Sequence, residues 1–125
     1  MKIISTKNAP DAIGPYSQSI TEGGFVFTSG QIPIDPVSGT ITASGIEEQT
    51  RQVIHNLSAV LEASGSCLDL AVKTTCYLQD MKDFAAFNEV YGQYFTGKPA
   101  RSCVEVAKLP KGALVEIEVI AFLRT

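Results

Sequence analysis

Arg101, Cys103 and Glu105 alternate along one apolar stretch of the chain (RSCVE), and Glu116 and Glu118 alternate along the next (VEIEVIAFL). A period of two puts alternate residues on one face of a strand. The final stretch then has a wholly apolar face, Val115, Ile117, Val119, Ala121 and Leu123, and a mixed one, Glu116, Glu118, Ile120 and Phe122. A guanidinium is a planar fork of donors that matches a carboxylate, so Arg101 could hold a small acid while a nearby carboxylate positions water. The same residues also read as a solvated face or as a structural ion pair of Arg101 with Glu105, Glu116 or Glu118. The burial of Arg101 separates the two.

Other chemistries have less support. Ser29 ends a probable strand in Thr28-Ser29-Gly30-Gln31, outside any G-x-S-x-G elbow, and no glycine-rich nucleotide loop is present. A strand end followed by Gly30 can present backbone N–H groups to a ligand, or be a simple turn. Cys67, Cys76 and Cys103 are odd in number, with no C-x-x-C and one histidine in the chain, so neither a disulfide framework nor a metal site is expected. Free, mostly buried thiols are the expectation. His55 lies about 200° around its helix from Leu57 at roughly 100° per residue, pointing away from the apolar stripe, so a Ser-His or Cys-His pair is not expected.

The elements that must position these residues follow from periodicity. Residues 17–21 and 25–29 flank Glu22-Gly23-Gly24 as a hairpin. Pro33, Asp35, Pro36 and Gly39 make residues 31–45 a long ordered loop. Residues 46–64 form a helix with Val53, Ile54, Leu57, Val60 and Leu61 on one face, stopped by Gly65. Ala71–Leu78 reads as a strand, and residues 83–95 as a helix with Phe84, Phe87, Tyr91, Tyr94 and Phe95 in the core or an interface. Gly92 inside that helix predicts close approach to another element. Residues 100–107 and 113–123 are strands. The order ββαβαββ predicts an α+β fold, a sheet with both helices on one face and the other in need of cover, so an oligomer is expected.

Composition bounds the rest. With 125 residues, 45% apolar and 18% charged, residues 1–125 are expected to form one globular domain. Ten Lys+Arg against thirteen Asp+Glu give a net charge of -3 without a basic stripe, which argues against nucleic acid as a partner. No apolar run approaches the roughly 20 residues of a membrane span, and MKIISTKNAP has no signal-like apolar core, so a cytoplasmic protein is expected.

The ordered stretches APDAIGPYS (9–17), TSGQIP (28–33), VKTTCYL (72–78) with Asp80, DFAAFNEVY (83–91), PARSCVEVAKLP (99–110) and VEIEVIA (115–121) resemble the YjgF/RidA family, the reactive-intermediate deaminases once called L-PSP endoribonucleases. The resemblance runs nearly the full length of the chain and is nearest to the RidA subgroup in which the arginine is present. It implies a chorismate-mutase-like fold, a homotrimer whose sheets pack into a central barrel, and clefts between subunits. It also implies cofactor-free hydrolysis of enamines and imines, such as 2-aminoacrylate, to 2-keto acids and ammonia. Carried over, Arg101 binds the substrate carboxylate and Glu116 holds or activates water. Tyr16, Ser29, Gly30, Asn88 and Cys103 line the cleft, Cys103 mainly through its backbone, while Glu105 and Glu118 carry no role. A non-catalytic trimer that binds small carboxylates or 2-keto acids, or regulates a metabolic enzyme, would use the same arginine.

Overall fold

The computed structural model describes all 125 residues. Six strands, β1 (Lys2–Ile4), β2 (Ser19–Glu22), β3 (Phe25–Thr28), β4 (Ala71–Leu78), β5 (Ala100–Glu105) and β6 (Val115–Phe122), form one sheet in the order β1-β2-β3-β6-β4-β5. Only the β4–β5 pair is parallel, so the sheet is mixed. Helices α1 (Gly45–Ala63) and α2 (Phe84–Tyr94) pack on one face of it, as the pattern predicts for an α+β fold.

The element boundaries differ from the expected ones in understandable ways. β1 lies outside the expected elements: three residues, two of them exposed, carry no alternation. The strand expected at residues 17–21 starts two residues later, because the side chain of Gln18 is buried in other work. Its amide donates to the carbonyls of Thr6 and Pro10 and accepts from the Thr6 N–H, tying down the loop that leads to Tyr16. β3 stops at Thr28, and β5 ends at Glu105, whose carboxylate accepts the Met81 N–H. β6 is shorter than residues 113–123, because Pro110–Gly112 forms a 3-10 turn before it.

α1 ends as its sequence requires. Gly65 takes φ 87°, and the N–H groups of Ser66 and Gly65 donate to the carbonyls of Leu61 and Glu62, a Schellman closure that satisfies both. Its apolar stripe, Val53, Ile54, Leu57 and Leu61, is fully buried against Val115, Ile117 and Val119 of β6 and Phe87 of α2. Leu57→Ala is expected to cost about 2–5 kcal/mol, read as a lower denaturant midpoint at an unchanged slope. Polar residues on α1 serve the loop before it: Asn56 donates to the carbonyls of Ile32 and Ile34, and Gln49 bridges Ala43 to Leu114. Those bonds order the long connection 31–45 and fix the cavity wall it supplies.

The other sheet face carries no helix. Phe27 and Phe122 are 43% and 49% exposed there, and Phe25 stacks on Phe122 at 5.2 Å between centroids. Exposed aromatic rings grouped on an uncovered sheet face mark an interaction surface.

Candidate active site

β6 is the element on which the site is built. Val115, Ile117, Val119 and Ala121 point into the core, so Glu116 and Glu118 stand on the open face. The chain after β3 returns beside β6 through reciprocal bonds between the backbones of Gln31 and Ile117, 2.9 and 3.2 Å, which lays Gly30 against Glu116. A Cβ at Gly30 would overlap the Glu116 carboxylate, so glycine is required for this contact. Ser29 is fixed by its N–H to the Gln18 carbonyl and by its hydroxyl, which donates to the Ser17 carbonyl at 2.6 Å. Tyr16, Ser29, Gly30, Gln31, Lys111 and Glu116 line one cavity of about 410 Å³.

Half-burial in this cavity pushes the Glu116 carboxyl above the usual range, and the neighbouring Glu118 adds to the effect. Lys111 sits at the rim with φ 56°, one of two non-glycine residues in the left-handed region. The other, Lys98, lines a second concavity, of about 550 Å³, together with Asn88, Tyr91, Gly92, Phe95 and Arg101.

Arg101 is partly buried on the helix-covered face. Its guanidinium carbon sits 4.9 Å from the centroid of the Tyr91 ring, 5.6 Å from Phe84 and 5.9 Å from Phe87, and one nitrogen donates to Asn88 Oδ1 at 2.8 Å. Tyr91 is itself held by a 2.7 Å bond between its hydroxyl and Thr74 Oγ1. Four ion pairs occur in the chain, and none involves Arg101. The ion-pair reading of Arg101 with Glu105, Glu116 or Glu118 is therefore incorrect. A cation stacked on three rings, oriented by a neutral amide and lacking a carboxylate is poised for an anion from outside the chain.

The structure brings Tyr16, Ser29, Gly30 and Glu116 together, and separately Arg101 and Asn88, with Cys103 two residues along β5 from Arg101. It does not bring the two groups together. Arg101 lies opposite Thr74 in the parallel β4–β5 register, and Cys103 opposite buried Cys76, so both share the helix face. Glu116 lies opposite Tyr77 on the other face. Alternation was right within each strand, but the expectation of one mixed face shared by Arg101 and the glutamates was wrong.

Burial pushes the Cys103 thiol up despite Arg101, and pushes Cys76 up to about 12. All three cysteines are free, with only Cys76 fully buried. His55 is exposed, as its helix position predicts. Gly92 has no atom within 4 Å of a Cβ built on it, so close approach within the chain does not explain it. The aromatic cage was hidden in the sequence because Phe84, Phe87 and Tyr91 follow the same stripe as ordinary core residues. No three His, Cys, Asp or Glu side chains converge as around a metal ion, and no helix is long and apolar enough to cross a membrane.

The family profile described as Endoribonuclease L-PSP matches residues 6–123. A RutC family protein of Pyrococcus horikoshii is 56% identical over 122 residues, 97% of each chain. A Salmonella typhimurium protein named 2-iminobutanoate/2-iminopropanoate deaminase is 49% identical over 127 residues, 98% of each. The crystal structure of E. coli TdcF with bound serine covers all of both chains at 45% identity and a TM-score of 0.94. The chain belongs to the L-PSP family, the YjgF/RidA proteins.

Proposed function

We propose that this protein is a cofactor-free imine deaminase, hydrolysing 2-imino acids, including the imine form of 2-aminoacrylate, to 2-keto acids and ammonia. The observation that carries the reading is Arg101, in no ion pair, caged by rings and aimed by Asn88. A small carboxylate fits that fork. Support for turnover, and not binding alone, comes from the deaminase name of the Salmonella relative and from a half-buried carboxyl in a separate cavity.

The working site requires a second copy of the chain. Arg101 and Glu116 stand on opposite faces of one sheet, so one ligand meets both only when the Arg101 concavity of one copy docks beside the Glu116 cavity of its neighbour. A homotrimer closing its open sheet faces into a central barrel achieves this and covers Phe27 and Phe122. In that arrangement Arg101 neutralises the substrate carboxylate, Asn88 orients Arg101, and Glu116 handles water and protons at the imine carbon. Tyr16, Ser29 and Gly30 wall the cleft. The imine carbon is already electrophilic, so neutralisation, orientation and proton transfer suffice. The serine bound in the E. coli TdcF structure is a small carboxylate, the class of ligand a guanidinium fork accepts, and it keeps a binding-only trimer as the second reading.

Release of ammonia from imino acids generated in situ by an amino-acid oxidase tests the reading. Acceleration above the spontaneous rate supports it. Calorimetric binding of 2-keto acids without acceleration, across small, branched and aromatic imino acids, replaces it with the binding reading. Cys103→Ala is expected to keep kcat/KM within about threefold in that assay, because a thiol whose ionisation is disfavoured serves poorly as a nucleophile.

A further inference from the structure

Glu118 was assigned no role by family resemblance, yet the structure gives it a specific setting. It shares the open face of β6 with Glu116, two residues away, which places the two Cα atoms about 7 Å apart. Tyr77 lies directly across from Glu116 on β4, and its hydroxyl reaches diagonally to donate to Glu118 Oε1 at 3.3 Å. The ring that packs beside one carboxylate thus anchors the other. Glu118 has no ion-pair partner to consume its charge.

We propose that Glu118, anchored by Tyr77, is a positioning residue whose negative charge adds to burial in favouring the protonated form of Glu116, so that Glu116 can enter the catalytic cycle as an acid. This rests on the deaminase reading and deepens it. The protonated Glu116 gives its proton to the imine nitrogen, making the carbon a better electrophile. The resulting carboxylate takes a proton from water as the water oxygen bonds to that carbon, forming a carbinolamine. Glu116 then protonates the amine, and takes the hydroxyl proton back as the C–N bond breaks and the keto group forms. One imine and one water yield one keto acid and one ammonia, and Glu116 ends protonated, as it began.

The other groups around Glu116 do not supply this charge. From β4, Tyr77 is neutral, and Lys73 is placed opposite Ile120, further along the sheet. From β5, Ser102 and Val104 are uncharged, as is Phe27 of β3. Around the cavity, Asp11 and Lys111 carry opposite charges, and neither is within ion-pair distance of Glu116. Burial and Glu118 push the Glu116 carboxyl in the same direction.

The experiment compares wild type with Glu118→Gln and Glu118→Asp by two readouts: the titration midpoint of the Glu116 carboxyl by 13C NMR, and the pH profile of kcat/KM. Removing the neighbouring charge favours the ionised form, so Glu118→Gln should lower the midpoint by about one pH unit and move the loss of activity at rising pH down by the same amount. Glu118→Asp keeps the charge and should keep both values near wild type, an outcome a merely space-filling role does not predict. An unchanged NMR midpoint in Glu118→Gln overturns the electrostatic assignment. A shifted midpoint with an unchanged activity profile overturns the acid role of Glu116. A shifted midpoint in a protein that releases no ammonia supports the pairing of the two glutamates and instead overturns the deaminase reading.

Discussion

Arg101→Ala is expected to lower kcat/KM for imino-acid hydrolysis by about a hundred- to a thousand-fold, the range for removing a preorganised donor from a dry site. The guanidinium is prepaid in this sense: three rings and Asn88 hold it in place before any ligand arrives. Arg101→Lys should recover little, because an ammonium lacks the planar fork and stacks less well on Tyr91. The fold should persist, since Arg101 lies on the edge strand β5 and contributes to no ion pair. Thermal unfolding and sedimentation of the variant check that point. Full activity in a folded Arg101→Ala assembly would remove the carboxylate anchor from the account.

Gly30→Ala is the second large effect, and it acts at a distance of one side chain. The added methyl overlaps the Glu116 carboxylate and crowds its Cγ, while the backbone at Gly30 is not in the left-handed region. The carboxylate is the far end of a flexible side chain and can swing away, so the cost falls on the site and not on the fold. A displacement on the order of 1 Å in a proton-transfer group is worth up to about a hundredfold in rate. The expected result is kcat down by about ten- to a hundredfold with the melting temperature nearly unchanged. A wild-type kcat would mean that Glu116 tolerates displacement and does not handle the proton.

Much of this architecture was legible in the residues. The buried stripe of α1, the boundaries of β4 and the inward apolar face of β6 follow directly from periods of 3.6 and two. Periodicity assigns residues to faces within one strand, however, and says nothing of which face of a neighbouring strand matches it. That depends on register across β4, where Arg101 meets Thr74 and Glu116 meets Tyr77, and the sequence contains no local signal for either pairing. The Arg101 cage was unreadable for a related reason: a ring that stacks on a cation and a ring that fills a core occupy the same helical positions. Gly30 was ambiguous between a turn and a ligand contact until the Glu116 side chain was seen lying where a Cβ would be. Ser29 similarly offers a hydroxyl already committed to the Ser17 carbonyl, which suits a wall of the cleft better than a nucleophile.

Arg101 and Glu116 stand on two faces of one sheet, so the proposed reaction needs a second copy of the chain. It is also the feature that one measurement tests most directly. Arg101→Ala and Glu116→Ala, each nearly inactive alone, are unfolded, mixed in equal amounts and refolded together, and ammonia release from an in situ imino acid is compared with each variant refolded alone. If each site takes its arginine from one copy and its glutamate from the next, random assembly leaves about a quarter of the sites with both side chains intact, and about a quarter of the wild-type rate returns. No recovery in a well-folded mixed assembly would place both residues of a working site on one chain, or neither in it, and would contradict the account.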